Sequence, residues 1–95
     1  MDATETIRAV ILDEARALTC GNRNADYGDP VANHQHIADI FNAITGRDIS
    51  AREAALFHTA TKLARRAKNP RHRDSYVDGA AYTAIEYECA ISEGP

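Results

Sequence analysis

Six cations lie within twelve residues of this chain, from Lys62 to Arg73, and no acid stands among them. Asp74 follows the segment directly, and Asp78 comes one helical turn later. The whole chain has a formal net charge of −3, so this positive charge is concentrated rather than spread. Clustered Lys and Arg are typical of phosphate sites. The pattern predicts a site for an anion such as a nucleotide phosphate, with the neutralisation of helix ends as the structural alternative.

The side chains of this segment allow two interpretations. The candidate phosphate contacts are Lys62, Arg66, His72 and Arg73. In the structural interpretation, Lys62 and Arg66 pair with the two acids that follow and fix two helices together. In the functional interpretation, Lys62 and one arginine hold a phosphate while Asp78 orients a base, a ribose or a metal ion. Six cations exceed what two acids require, which favours a ligand.

A polar loop over residues 21–30 forms the second candidate region. The candidate ligand contacts there are Arg23, Asp26, Tyr27, Asp29 and, just beyond the loop, His34. The tyrosine ring could stack on a base, the arginine could bind phosphate, and the aspartates could bind a ribose or Mg²⁺. For Asp29 alone, capping of the following helix is the favoured alternative.

Other kinds of chemistry find little support in the residue spacing. His34 and His36 are two apart, so a helix would point them in different directions and no metal site is predicted. Cys20 and Cys89 form no metal or redox spacing, and free thiols are expected. The chain contains no P-loop and no nucleophile motif. No cofactor is therefore predicted, except Mg²⁺ if the protein hydrolyses its ligand.

The elements that must position these residues are helices. Hydrophobic periodicity predicts four of them, from about Thr4 to Leu18, Val31 to Thr45, Ser50 to just before Pro70, and from Asp74 onward. Ser50 and Glu53 form a capping box, and Asp74 is the expected cap of the last helix. The short link between the last two helices predicts an antiparallel hairpin. These two helices should be the longest and the closest packed, with Gly79 permitting the approach.

Apolar stripes give the expected buried faces. In the second helix the stripe consists of Ile37, Ile40, Phe41 and Ile44. In the fourth helix it consists of Val77, Ala81, Ala84, Ile85 and Ile91. In the first helix Ile7, Val10, Ile11 and Leu18 fall on one face.

Length and composition indicate one all-α domain over residues 1–95. No apolar run approaches the roughly 20 residues of a membrane span, and the acidic start lacks a signal-peptide pattern. The acidic balance makes nucleic acid an improbable partner. So small a chain gains from assembly, which predicts a homo-oligomer, with ligand sites shared between subunits.

The combined motifs resemble a family of small phage and prophage proteins of unknown function. The resemblance covers residues 20–88 and rests on the segments Tyr27-Gly28-Asp29-Pro30, Lys62-Leu63-Ala64-Arg65 and Asp74-Ser75-Tyr76-Val77-Asp78-Gly79-Ala80-Ala81-Tyr82. It implies a protein in the cytoplasm of an infected or lysogenic bacterial host.

The pattern is also distantly similar to the all-α MazG-type nucleoside triphosphate pyrophosphohydrolases, whose helices present acids to Mg²⁺ on a nucleotide. That type carries Glu-x-x-Glu on one helix and Glu-x-x-Asp on the next. Here the third helix offers only Glu53, and the fourth offers Asp74 and Asp78 at a different spacing. The departure weakens the case for hydrolysis and leaves nucleotide binding intact.

The leading prediction is a protein that binds a nucleotide-type phosphorylated small molecule without turnover. In a phage setting, such a protein could sequester a nucleotide second messenger of host defence. One alternative is a Mg²⁺-dependent MazG-like pyrophosphohydrolase, with Asp26, Asp29, Asp74 and Asp78 as metal ligands. The other is a helical nucleic-acid adaptor that uses the cationic segment on phosphates.

Overall fold

A computed structural model describes residues 6–20 and 28–94, and these ranges are helical with no strand. The helices are α1 (Ile7–Thr19), α2 (Pro30–Thr45), α3 (Ala51–Lys68) and α4 (Arg73–Ser92). The all-α fold with a C-terminal helix hairpin is therefore confirmed, and α3 and α4 are the longest helices, at 18 and 20 residues. No described helix has the length and apolar character needed to cross a membrane.

The starts of α2 and α3 follow from local sequence. The Asp29 carboxylate accepts a hydrogen bond from the Ala32 amide at 3.0 Å, so the capping interpretation of Asp29 is confirmed. The Ser50 hydroxyl accepts from the Glu53 amide while the Glu53 carboxylate accepts from the Ser50 amide, both at 3.1 Å. This reciprocal pair is the predicted capping box.

The start of α4 differs from the prediction. The helix begins at Arg73 with His72 in the capping position, and Asp74 lies in the first turn. Asp74 as the cap is therefore wrong. The His72 imidazole instead pairs with the Ser75 hydroxyl at 2.7 Å. Asp74 still lies where the positive end of the helix dipole favours an acid.

The core is built from small side chains along α4. One cluster joins α3 to α4 through Ala51, Ala55, Ile85 and Cys89. A second joins α1 to α4 through Ala15, Val77 and Ala81. A methyl group placed on Gly79 would lie 3.7 Å from the Lys62 β-carbon, so α3 and α4 approach closely at this level, as predicted.

Several residues of the predicted apolar stripes lie in solvent. On α2, Ile40, Phe41 and Ile44 are 48%, 43% and 79% exposed. Ala84 and Ile91 of α4 and Ile7 of α1 are exposed too. Their predicted burial is wrong, because an apolar stripe is buried only where another helix packs on it, and no described helix covers these positions.

Candidate functional site

Successive side-chain pairs run along the seam between α3 and α4. In chain order along α3 they are Arg52–Glu86, His58–Tyr82, Lys62–Asp78 and Arg66–Tyr76. Because the helices are antiparallel, each step toward the end of α3 meets an earlier residue of α4. Aromatic rings and charged groups therefore follow one another along the helix axes in a fixed order.

The centre of the seam is an aromatic cluster with a member from each of three helices. The rings of His58 and Tyr82 are stacked, with centroids 4.7 Å apart and planes inclined by 21°. His34 of α2 meets both rings edge-on, with centroid distances of 5.3 Å to His58 and 6.0 Å to Tyr82. Three flat polar rings thus share one small volume where α2, α3 and α4 meet.

His34 carries an unsatisfied polar atom into this cluster. The residue is only 3% exposed, and its Nδ1 lies 2.7 Å from the Pro30 carbonyl oxygen. A carbonyl oxygen only accepts, so Nδ1 must donate, which leaves Nε2 of the neutral ring as an acceptor. Nε2 is buried and no described residue pairs with it. An unpaired buried acceptor costs free energy that a donor from a ligand would recover.

His58 is held in its neutral form. Burial lowers its pKa from the ordinary value of 6.5, and the nearby His34 and Lys62 lower it further. The charged imidazolium is disfavoured both by lost hydration and by neighbouring positive charge. The His58 ring is thus a neutral stacking surface at pH 7.

One turn beyond the rings, Lys62 and Asp78 form a salt bridge of 3.2 Å. Their side chains are 22% and 33% exposed, so the pair is neither fully buried nor free in solvent. Lys62 lies four residues after His58, and Asp78 lies four residues before Tyr82, so pair and ring stack share one face of the hairpin. A charged pair with open access beside an aromatic stack can exchange its partner for a ligand phosphate.

The predicted cations nearer the helix break lie apart from this cluster. The Arg66 guanidinium lies 4.9 Å from the centroid of the Tyr76 ring, rather than against an acid. The Tyr76 hydroxyl donates to the Pro70 carbonyl oxygen at 2.7 Å. Arg73 binds Glu14 of α1 through two nitrogens. These contacts tie the turn together and join α1 to α4.

The structure therefore divides the predicted site residues. His34, Lys62 and Asp78 come together around the rings. A second set, at the turn between α3 and α4, consists of Arg66, His72 and Arg73. Asp29 belongs to neither set and caps α2. Arg23, Asp26 and Tyr27 lie outside the described residues.

Sequence reasoning missed two members of the cluster, His58 and Tyr82. The helical spacing carried the signal, since each lies four residues from a predicted site residue on the same helix. A histidine one turn before Lys62 and a tyrosine one turn after Asp78 must share the seam once the hairpin forms. Pairing the two helices residue by residue would have found both.

The metal ligands required by a pyrophosphohydrolase can be tested on this geometry. Over residues 6–20 and 28–94, no three His, Cys, Asp or Glu side chains lie together in a way that could hold an ion. Asp78, one helical turn before Tyr82, is paired with Lys62. The described donor set does not fit the several-carboxylate site that phosphate hydrolysis by Mg²⁺ uses.

The chain matches the model of the protein family described as "Domain of unknown function (DUF6378)" over residues 10–90. The chain is 39% identical over 72 residues to the gene 55 protein of Mycobacterium phage D29, covering 76% of this chain and 48% of that protein. It is 34% identical over 84 residues to the gene 55 protein of Mycobacterium phage L5, covering 87% of this chain and 54% of that protein.

These matches confirm the similarity to phage proteins of unknown function and show no relation to the MazG type. The chain spans about half the length of these two relatives. No solved structure matches the chain.

Proposed function

The chain belongs to the DUF6378 family, whose description names no activity, and from the site geometry we propose that it binds a nucleotide-type phosphorylated small molecule without turnover. The observation that carries the proposal is the buried Nε2 of His34, which has no partner among the described residues and lies beside stacked rings and a lysine. A base, its sugar and a phosphate present the three kinds of group that such a surface binds.

The aromatic part of the site suits a nucleobase. Base–aromatic stacking contributes about 1–3 kcal/mol per base. His58 and Tyr82 are half-buried, so their rings retain accessible area. An amino group on the base or a hydroxyl of the ribose would donate to His34 Nε2 and satisfy it.

The charged part of the site suits a phosphate. His58, Lys62 and Arg65 are spaced by four and three residues, so they form one stripe of α3. The helical rise places Lys62 about 6 Å and Arg65 about 10 Å beyond His58 along the axis. That order, from ring to cation, matches base, sugar and phosphate. Arg65 is exposed and makes no salt bridge with any residue in 6–20 or 28–94, so it is available.

We favour binding without turnover because α3 carries Glu53 as its single acid and α4 carries Asp74 and Asp78 four residues apart, a spacing that departs from the acid pairs of the MazG type. With relatives in phages, sequestration of a nucleotide second messenger used in host defence would be the biological role. Lys62 would move from Asp78 to the ligand phosphate, and Asp78 would be free to accept from a ribose hydroxyl.

A depletion-and-release experiment tests this function. The protein is incubated with Mg²⁺ and a panel of linear and cyclic nucleotides, free ligand is measured after filtration, and the protein is then denatured. Intact nucleotide returned in near-stoichiometric amount is the expected result. Product in excess over protein would replace binding with hydrolysis, and failure to deplete any nucleotide would refute the proposal.

Two variant pairs localise the binding. Lys62→Met should reduce nucleotide retention at least tenfold, whereas Lys68→Met, at an exposed position of the same helix, should not. Tyr82→Leu should remove the stacking surface, whereas Tyr87→Leu alters a tyrosine that is 68% exposed and outside the cluster. Equal losses within either pair would place the ligand elsewhere.

A further inference from the structure

The outer face of α3, opposite the seam, carries apolar side chains that nothing in the described chain covers. We call this set the outer stripe, and its members are Leu56, Phe57, Ala60, Leu63, Ala64 and Ala67. All six are exposed, with Leu56 at 43%, Phe57 at 68% and Leu63 at 49%. Contiguous exposed apolar patches on a small protein mark interaction surfaces.

The spacing of the outer stripe is that of paired helices. Phe57, Ala60, Ala64 and Ala67 are separated by three, four and three residues. Positions 57 and 64, and positions 60 and 67, are each seven residues apart, which is the heptad repeat that keeps an apolar face toward a second helix. The three alanines would let that helix approach closely, while Phe57 and Leu63 provide larger side chains to pack around them.

Helix α2 extends the same surface. A groove of about 540 Å³ between α2 and α3 is lined on the α2 side by Ile37 and Phe41 and on the α3 side by Ala54 and Phe57. Its lining is almost entirely apolar, and the exposed Ile40 stands next to it on α2. The outer stripe and the groove together form one continuous apolar face.

We propose that this face pairs with the same face of a second copy of the chain, with the two α3 helices antiparallel and crossing near Ala60. The charges on α3 favour this partner and this direction. Glu53 in its first turn and Lys68 in its last turn are both exposed on the side of the outer stripe. Antiparallel pairing about Ala60 places Glu53 of each α3 beside Lys68 of the other, whereas parallel pairing places Lys68 beside Lys68.

The size of the face agrees with a dimer. An 18-residue helix is about 27 Å long and, with its neighbour α2, presents a footprint about 20 Å wide. A footprint of that size is about 540 Å² per copy, or about 1,080 Å² for the pair, which reaches the roughly 1,000 Å² in total that a specific interface buries. A two-fold axis through Ala60 makes the face self-complementary, as a symmetric dimer requires. Lys62 lies on the opposite side of α3 and pairs with Asp78 of α4, so the charged part of the ligand site stays accessible, whereas His58 also lines the groove and adjoins the paired face.

Molecular mass in solution tests the pairing directly. The wild-type chain should sediment with twice the mass of one chain at micromolar concentration. Phe57→Glu should convert it to the mass of one chain while leaving its helical content unchanged. Tyr87→Glu is the matched control, because Tyr87 is equally exposed, at 68%, but lies on α4 outside the face. A single-chain mass for the wild type, or a dimer that survives Phe57→Glu, would overturn the proposal.

Disulfide cross-linking tests the direction. In a Cys20→Ser background, Ala60→Cys should form a disulfide-linked dimer, because its two copies meet at the axis. Ala64→Cys should not, because antiparallel helices separate its two copies by about 12 Å along the axis, beyond disulfide reach. Efficient cross-linking of both variants would indicate parallel helices and would overturn the proposed geometry.

Discussion

The two faces of α3 differ in a way that reverses the usual expectation. The face toward α4 is made of Ala51, Ala55 and Thr59, with polar pairs at its edges, and it is buried. The face toward solvent carries Leu56 and Phe57, which are larger and more apolar. Close packing of two helices requires small residues on the faces that meet. The larger apolar side chains therefore lie on the outer face, where a second copy of the chain could contact them. Burial in this fold therefore follows the distance between helices rather than hydrophobicity alone.

The largest expected effect is a difference in the free energy of unfolding between changes at a buried and at an exposed isoleucine of α4. Ile85→Ala should lower the free energy of unfolding by about 2–5 kcal/mol, because it opens a cavity in the α3–α4 core. Ile91→Ala, on the same helix but 63% exposed, should change it by less than about 0.5 kcal/mol. Urea titration followed by circular dichroism measures both. Similar costs would mean that Ile91 is buried in the protein as it exists in solution.

A second prediction measures how close α3 and α4 lie. Gly79→Ala should stabilise the protein by about 0.5–1 kcal/mol, since alanine favours the helix and its methyl group meets Lys62 at an ordinary contact distance of 3.7 Å. Gly79→Leu should destabilise it by about 1–3 kcal/mol, because the larger side chain has no space between the helices. Thermal unfolding of the two variants beside the wild type gives the comparison. If leucine is tolerated as well as alanine, the helices are further apart than described.

Much of this architecture was predictable from sequence, because helix ends depend on local residues. Ser50 with Glu53, and Asp29 before Pro30, specify where α3 and α2 begin. The prediction for Asp74 was wrong because the helix begins one residue before it, at Arg73, with His72 in the extended backbone conformation of the capping position. Where two nearby residues can each precede a helix, local sequence alone does not determine which of them takes the capping position.

Which apolar stripe is buried could not be predicted, because periodicity identifies a face but not its partner. Ile44 and Ile85 both belong to regular stripes, yet one is 79% exposed and the other 6%. The site was only partly predictable, because sequence patterns do not show which residues of two helices meet. Lys62 and Asp78 were identified from charge, while His58 and Tyr82 required the pairing of two helices to become visible.

The third prediction concerns the salt bridge at the seam. Lys62→Ala and Asp78→Ala should each lower the free energy of unfolding, and the double variant should lose about 0.2–1 kcal/mol less than the sum, which is the coupling expected of a partly exposed pair. Urea titrations of the four proteins form the cycle. Strict additivity of the two single changes would show that the pair does not interact in solution. As a control, Lys68→Ala gives the change in free energy of unfolding when an exposed lysine of the same helix is lost.

The smallest effect is a pH dependence centred on His58. Its ring faces His34 on α2 and Tyr82 on α4, and Lys62, which pairs with Asp78, lies one turn away on the same helix. Its pKa in the folded protein lies below 6.5, so the unfolded chain binds more protons between the folded pKa and 6.5. The stabilisation by the neutral ring is therefore complete above pH 6.5 and is lost as the pH falls through the folded pKa. Urea titrations between pH 5 and 8 should show the free energy of unfolding decreasing toward the acid side.

Two glutamine variants assign this pH dependence to one residue. His58→Gln should flatten the curve below pH 6.5, because glutamine fills a similar volume and does not titrate there. His36→Gln changes an exposed histidine of α2 and should leave the slope as it is in the wild type. If the slope survives in His58→Gln, the pH dependence belongs to another group and its assignment to His58 is wrong. If the slope is lost in His36→Gln instead, the pH dependence of the free energy of unfolding comes from the exposed surface of α2 and not from the ligand site.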